Sequence, residues 1–321
     1  MKEQRQRTKE LAEKYGYQNY MIERYLALWG EEETLQFLNA CERPIRNSIR
    51  VNTLKSSIDS LEPRLRKKGF KLEAIPWIKE GFFASFGTES PGSLFEHMLG
   101  LFYVQGVPSM TVTSVLDPRP SETVMDIAAA PGGKTTHIAQ RMENSGLIVS
   151  IEQDRLRIKS LQGNILRCGV ENAFVLRGDA KRISQLQIKA DRVLLDAPCS
   201  GEGLIPLDPS RKTSKSMADI RYCAGRQDEM LDSAVSVLED GGTLVYSTCS
   251  IAPEENEYVI DDFLKRHAEM RVVPIPLEFG VPSYTEPFGV RLNPSLELAR
   301  RFLPHKNGTE GFFICKMVKR S

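Results

Sequence analysis

The chain has 321 residues, 41% of them hydrophobic, enough for a large core with a smaller companion unit. Its 43 basic and 42 acidic side chains leave a net charge of +1, so total charge offers no argument for a nucleic-acid partner, although local basic faces are compatible with one. No stretch nears the roughly 18 apolar residues of a membrane span, and six scattered cysteines without a close CxxC pair speak against zinc and against a secreted disulfide framework, so a cytoplasmic protein with free thiols is expected. Over 1–40, Leu11, Tyr15, Ile22, Tyr25, Leu26 and Trp29 recur at helical steps and predict a helical cap that Gly30 stops. A strand over 48–52, a helix over 58–68 ended by Gly69 and a strand over 70–74 then form a small α/β unit. Its basic residues, Arg43, Arg46, Arg50, Arg64, Arg66, Lys67, Lys68 and Lys71, lie beside Phe70 and Trp77, a pattern that suits either an RNA backbone or an ordinary solvated face. The stretch Asp117-Pro118-Arg119-Pro120-Ser121 reads as a boundary and divides the chain into 1–117 and 118–321.

Beyond it, strands and helices alternate as a parallel sheet with crossover helices requires. Strands are expected over 123–127, 147–151, 173–176, 192–196 and 243–247, with helices over 134–142, 154–168 and 227–239. Pro253 opens a further helix to about 267, with Glu254 and Glu255 where the helix dipole favours acids. A strand over 311–318 would close the far edge of the sheet. Cys41, Cys168, Cys223 and Cys315 are expected as small buried hydrophobes.

Two loops carry the chemistry. Asp126-Ile127-Ala128-Ala129-Ala130-Pro131-Gly132-Gly133-Lys134 joins the 123–127 strand to its helix, where glycines let the backbone approach a ligand. It matches neither GxGxxG nor GxxxxGK[ST], which disfavours phosphate cradling. Glu152, or Asp154 beside it, stands where an α/β nucleotide site places a ribose-binding acid, and Asp179 follows the next strand in reach of an adenine amino group, so a ribose-bearing cofactor without phosphate fits. Cys199 and Cys249 each leave an apolar strand for a polar loop, and neighbouring parallel strands deliver both thiols to one rim; Cys249, nearer the helix start at Pro253, is the better-placed nucleophile.

Asp196-Ala197-Pro198-Cys199-Ser200-Gly201, Ser247-Thr248-Cys249-Ser250 and Ala129-Ala130-Pro131-Gly132-Gly133-Lys134 resemble the signature motifs of the Sun-domain (NSUN/RsmB-type) RNA 5-methylcytosine methyltransferases. The resemblance extends through Arg50-Val51-Asn52, Gln105, Arg226-Gln227, Pro304-His305 and Glu310-Gly311-Phe312-Phe313, and so over nearly the whole chain, in a form without an appended RNA-binding module. It implies an α/β class I methyltransferase, a Rossmann-like, mostly parallel sheet with helices on both faces, behind a small RNA-recognition-like unit. It also implies S-adenosyl-L-methionine as cofactor, held by Ala128, Ala129, Ala130, Pro131, Gly132, Gly133, Lys134, Glu152, Arg157, Asp179 and Asp196, with Glu152 where many members have Asp. By the same resemblance Cys249 adds to C6 of cytosine, Asp196 holds the N3 edge, Pro198 shapes the loop beside the base, Cys199 assists release, and Lys134 sits between cofactor and base. The expected partner is RNA, tRNA ahead of rRNA, bound by a monomer without metal. An amino methyltransferase would leave Cys249 unexplained, and a silent RNA-binding assembly factor would be expected to have lost the thiols or the cofactor loop, which are intact.

Overall fold

A computed structural model describes residues 2–87 and 90–321. The helical cap is α1 (Lys2–Tyr15) and α2 (Asn19–Cys41). Gly30 does not end the second helix. It kinks the chain at φ 74°, ψ −178°, and the helix resumes to bury Thr34, Phe37 and Leu38. The small unit follows: β1 (Ser48–Val51), α3 (Ile58–Lys67), β2 (Lys71–Ile75), β3 (Ile78–Ser85), α4 (Phe95–Met98) and β4 (Phe102–Val104), its four strands in the antiparallel order β2-β3-β1-β4. Three residues of that basic and aromatic pattern are unavailable to RNA. Arg50 and Phe70 are buried, and Trp77 stacks on Phe279 with ring centroids 3.9 Å apart.

Next come α5 (Val107–Leu116), β5 (Thr123–Ile127), α6 (Gly133–Arg141), β6 (Leu147–Glu152), α7 (Arg155–Cys168), β7 (Ala173–Arg177), β8 (Ala190–Asp196), α8 (Met217–Val237), β9 (Leu238–Thr248) and α9 (Glu257–Arg266). The chain closes with β10 (Met270–Val272), β11 (Val281–Pro282), β12 (Arg300–Phe302), α10 (Pro304–Asn307) and β13 (Phe312–Lys319). The large sheet runs β11-β12-β13-β9-β8-β5-β6-β7, parallel from β9 to β7, with β10 also paired to β13.

Alternation along the strands sets the two layers. Met125, Val149, Val193, Leu244 and Phe313 pack with Met230, Leu231, Ile260 and Phe263 of α8 and α9. Val124, Ile148, Leu194, Val245 and Ile314 pack with Val112 and Val115 of α5 and Ile138 of α6 on the other face. This explains why β13 lies inside the sheet instead of at the far edge: its side chains are apolar on both faces, and antiparallel partners pair with it on both sides. The helix expected over 227–239 begins ten residues earlier, at Met217, because a capping box starts it. Ser216 Oγ accepts from the Asp219 amide while the Asp219 carboxylate accepts from the Ser216 amide. Cys223 on that helix is half-buried, unlike the buried Cys41, Cys168 and Cys315.

The small unit is tied into the large sheet through buried polar groups. The Arg50 guanidinium donates to Gln140 Oε1 at 2.9 Å and Thr136 Oγ1 at 2.8 Å on α6, and His137 Nε2 lies 2.6 Å from Glu80 Oε1. Among the described residues no helix is long and apolar enough to cross a membrane, and no cluster of His, Cys, Asp and Glu has metal-binding geometry.

Candidate active site

The cofactor loop turns at the carboxyl end of β5, with a cis Ala130–Pro131 peptide and Gly132 at φ 103°, a left-handed conformation that favours glycine. Leu161 of α7 packs beneath Ala129 and Ala130, and Arg157 donates to the Ala130 carbonyl at 2.6 Å. Arg157 therefore shapes the loop while its guanidinium stands 3.4 Å from Glu152 Oε2. On one side of the loop, a cleft of about 570 Å³ is lined by Ala128, Glu152, Asp154, Asp179, Pro198 and Met230. On the other, a cavity of about 220 Å³ meets Gln105, Asp126, Ala128, Lys134 and Asp196. Glu152 is the end of β6 and accepts from the Asp154 amide, whereas Asp154 caps α7 through the Leu156 and Arg157 amides. Asp179 caps the short turn after β7.

Three buried acceptors along this path have no hydrogen-bond partner among the described residues: Glu152 Oε2, Asp126 Oδ1 and Gln105 Oε1. A ligand with ribose hydroxyls at one end and an ammonium group at the other brings the donors these atoms lack. S-adenosylmethionine is such a ligand, and the residues present fit it.

Asp126 is shifted in its protonation by the same burial. Burial, opposed by the 2.5 Å hydrogen bond from Thr135 and reinforced by the charge of Asp196, pushes its carboxyl up to about 7. In an unfolded chain an aspartate titrates near ~3.9, so between about pH 4 and pH 7 the folded protein holds the extra proton and loses stability as the pH rises. Asp126→Asn is therefore expected to match the wild type in melting temperature near pH 4 and to exceed it by a few degrees at pH 8. Superimposable melting temperatures across that range would refute this.

At the ends of β8 and β9, Lys134 Nζ pairs with Asp196 Oδ2 at 2.7 Å, and Asp196 Oδ1 accepts from Ser247 Oγ at 2.7 Å. Lys134 also lies over the Phe312 ring, 5.5 Å from its centroid. Immediately beyond, the sulfurs of Cys199 and Cys249 are 3.2 Å apart. That hydrogen bond to Cys249, and then burial, push the Cys199 thiol well above its ordinary range. Gly203 bridges the Cys249 loop and Gly311. Gly203 donates to the Cys249 carbonyl at 3.0 Å and accepts from the Gly311 amide at 2.8 Å, and a Cβ on Gly203 would stand 2.1 Å from the Gly311 oxygen.

Residues 113–318 match the model for the 16S rRNA methyltransferase RsmB/F family, and residues 18–107 match that for the N-terminal domain of 16S rRNA methyltransferase RsmF. The chain belongs to the RsmB/F methyltransferase family. Over 98% of its length it is 39% identical to a 28S rRNA (cytosine-C(5))-methyltransferase of Mus musculus, of which it spans 40%. It is 40% identical over 93% of its length to a tRNA (cytosine(49)-C(5))-methyltransferase of Pyrococcus abyssi, of which it spans 95%. Among solved structures, a methyltransferase homolog protein from Pyrococcus horikoshii superposes with a TM-score of 0.88 at 41% identity, covering 96% of this chain and 97% of that one. The fold is the Rossmann-like class I methyltransferase, and its cofactor is S-adenosylmethionine.

In this RsmB/F-family chain the residues expected at the site fall into three adjoining groups. Glu152, Arg157 and Asp179 surround the larger cleft; Lys134 and Asp196 stand at the smaller one; Cys199 and Cys249 lie next along the same rim. Sequence reasoning missed the group behind the thiols. Glu255, read as an acid placed for the helix dipole, turns inward instead and accepts from Ser200 and Ser250, while Glu254 pairs with Arg24. The signal was present: each cysteine is followed directly by serine, at Cys199-Ser200 and Cys249-Ser250.

Proposed function

We propose that this chain methylates C5 of cytosine in RNA, with S-adenosylmethionine as methyl donor and tRNA as substrate ahead of rRNA. The observation that carries the reading is the pair of thiols 3.2 Å apart, next to the Lys134–Asp196 ion pair and the cofactor cleft. Cytosine C5 is too weak a nucleophile to take a methyl group unaided. A Cys249 thiolate adding to C6 moves the ring's electron pair toward C5 and the N3 edge, and makes C5 reactive. The proton given up by Cys249 is taken up at N3, neutralising the charge that develops there, and the Asp196 carboxylate, held by Lys134 and Ser247, accepts the hydrogen bond of that N3–H. When bound, S-adenosylmethionine supplies the electrophilic methyl group. Afterwards the C5 proton leaves with help from Cys199, the C5–C6 double bond re-forms, and the Cys249 sulfur departs.

Two observations support RNA and tRNA. A cleft on the small unit is lined by Arg46, Arg66, Lys71 and Phe83, with the Arg46 guanidinium 3.9 Å over the Phe83 ring, a surface suited to a phosphate backbone and a stacked base. The relative that the chain spans almost entirely is a tRNA enzyme, whereas it spans under half of the 28S rRNA enzyme. The same reading has a single chain acting in the cytoplasm. Incubating the protein with S-adenosylmethionine and either tRNA or rRNA, then mapping 5-methylcytosine by bisulfite sequencing, tests it: new sites in tRNA are expected, and new sites confined to rRNA would overturn the tRNA preference.

A further inference from the structure

We propose that Glu255 is a positioning residue whose single buried carboxylate holds the Cys199 and Cys249 loops in register through the serines that follow each cysteine. The inference rests on the reading of the two thiols given above.

Strands β8 and β9 fix each other only as far as Asp196 opposite Ser247, with one last backbone bond from the Ala197 amide to the Ser247 carbonyl. The cysteines lie past that point, on loops with no strand pairing to set their separation. One backbone bond, from the Gly203 amide to the Cys249 carbonyl, crosses between them, and Glu255 supplies the side-chain tie. Its Oε1 accepts from the Ser200 amide at 2.7 Å, and its Oε2 accepts from Ser200 Oγ and Ser250 Oγ, both at 2.5 Å. The two serine hydroxyls are themselves 3.3 Å apart. Glu255 is held in turn by Gln227, whose Nε2 donates to both Glu255 Oε1 and the Pro198 carbonyl, and by Tyr246, whose hydroxyl donates to the Glu255 carbonyl. Its side chain is fully buried. A carboxylate taken that far from water persists only when several donors satisfy it, and these donors come from both thiol loops. One side chain therefore adds its hydrogen bonds to the Gly203–Cys249 backbone bond and steadies two sulfurs that it does not touch.

Diamide provides a ruler for the distance between the sulfurs which needs neither RNA nor methyl transfer. One thiolate adds to diamide and the second then displaces the hydrazine, which leaves with both thiol hydrogens; this second step, timed by mass spectrometry as the diamide adduct turns into the Cys199–Cys249 disulfide, is as fast as the sulfurs meet. Mass spectrometry of the linked peptides separates this product from any involving Cys223. With Glu255→Ala, closure is expected to slow at least about tenfold and kcat to fall roughly 100-fold while KM for RNA and cofactor stays within about threefold, the pattern of misplaced reacting groups. Glu255→Gln with its amide oxygen in the place of Oε1 still accepts from the Ser200 amide and Gln227, its NH2 in the place of Oε2 donates to both serine hydroxyls, and it should restore closure to within about threefold of the wild type. Wild-type closure in Glu255→Ala, whatever its activity, overturns the proposal, and so does a Gln variant as slow as the Ala variant. If Glu255→Ala does not fold, Ser200→Ala with Ser250→Ala is read the same way, unchanged closure again overturning it. Failure of the underlying reading would show elsewhere, as methyl transfer that survives Cys249→Ala.

Discussion

Cys249→Ala is expected to lose methyl transfer to RNA entirely, a fall of roughly four orders of magnitude or more, as removal of a covalent nucleophile produces in other enzymes. Without addition at C6 the C5 carbon has no electron pair to offer, and burial, which the substitution leaves in place, still disfavours the thiolate of the neighbouring Cys199. Incorporation of labelled methyl groups into RNA measures the effect. Cofactor affinity should be unchanged, since Cys249 lines neither cleft beside the Ala128–Pro131 loop. Turnover above a few per cent of wild type, in a variant that still binds cofactor, would remove Cys249 from the mechanism.

Cys199→Ala is expected to give the opposite failure: one turnover, after which RNA remains attached to the protein through denaturing electrophoresis. The reason lies in how the Cys199 thiol is held. The largest cause keeping it protonated is its hydrogen bond to Cys249. Once the Cys249 sulfur is bonded to C6, that influence is gone, and Cys199 becomes able to receive a proton at the moment one must leave C5. Alanine cannot receive it, so the adduct waits. Absence of a cofactor-dependent shifted band, or a band that clears at the wild-type rate, would show that another group resolves the intermediate.

The parallel half of the fold was legible because its strands are nearly continuous apolar runs and its helices have clear inward stripes. Thr123–Ile127 and Arg155–Cys168 fall within a residue or two of where periodicity places them. The loops with Asp196, Cys199 and Cys249 were equally visible, since an apolar run ending in acid, proline and thiol announces a strand end. Less legible were features set by partners distant in sequence. The place of β13 in the sheet depends on its antiparallel neighbours β9, β12 and β10. The start of α8 depends on a capping box within a polar stretch that has no apolar period. Glu255 could be read as a dipole-stabilising acid because nothing local tells whether a carboxylate at a helix start points outward or toward a serine 55 residues away.

Arg50 has a structural reach beyond its own strand. It sits on β1 of the small unit, yet its guanidinium is spent on Gln140, Thr136 and the Gly133 carbonyl, all on the helix that begins at the cofactor loop. His137 on that helix likewise finds Glu80 of the small unit, and α5, which precedes Asp117, packs Val112 and Val115 into the core of the large sheet. The unit that would grip RNA is thus part of the foundation on which the cofactor loop stands. Excising the catalytic half at Asp117, or grafting a different recognition unit in front of it, would leave buried amide, hydroxyl and imidazole groups without partners. A chimera would have to bring its own arginine.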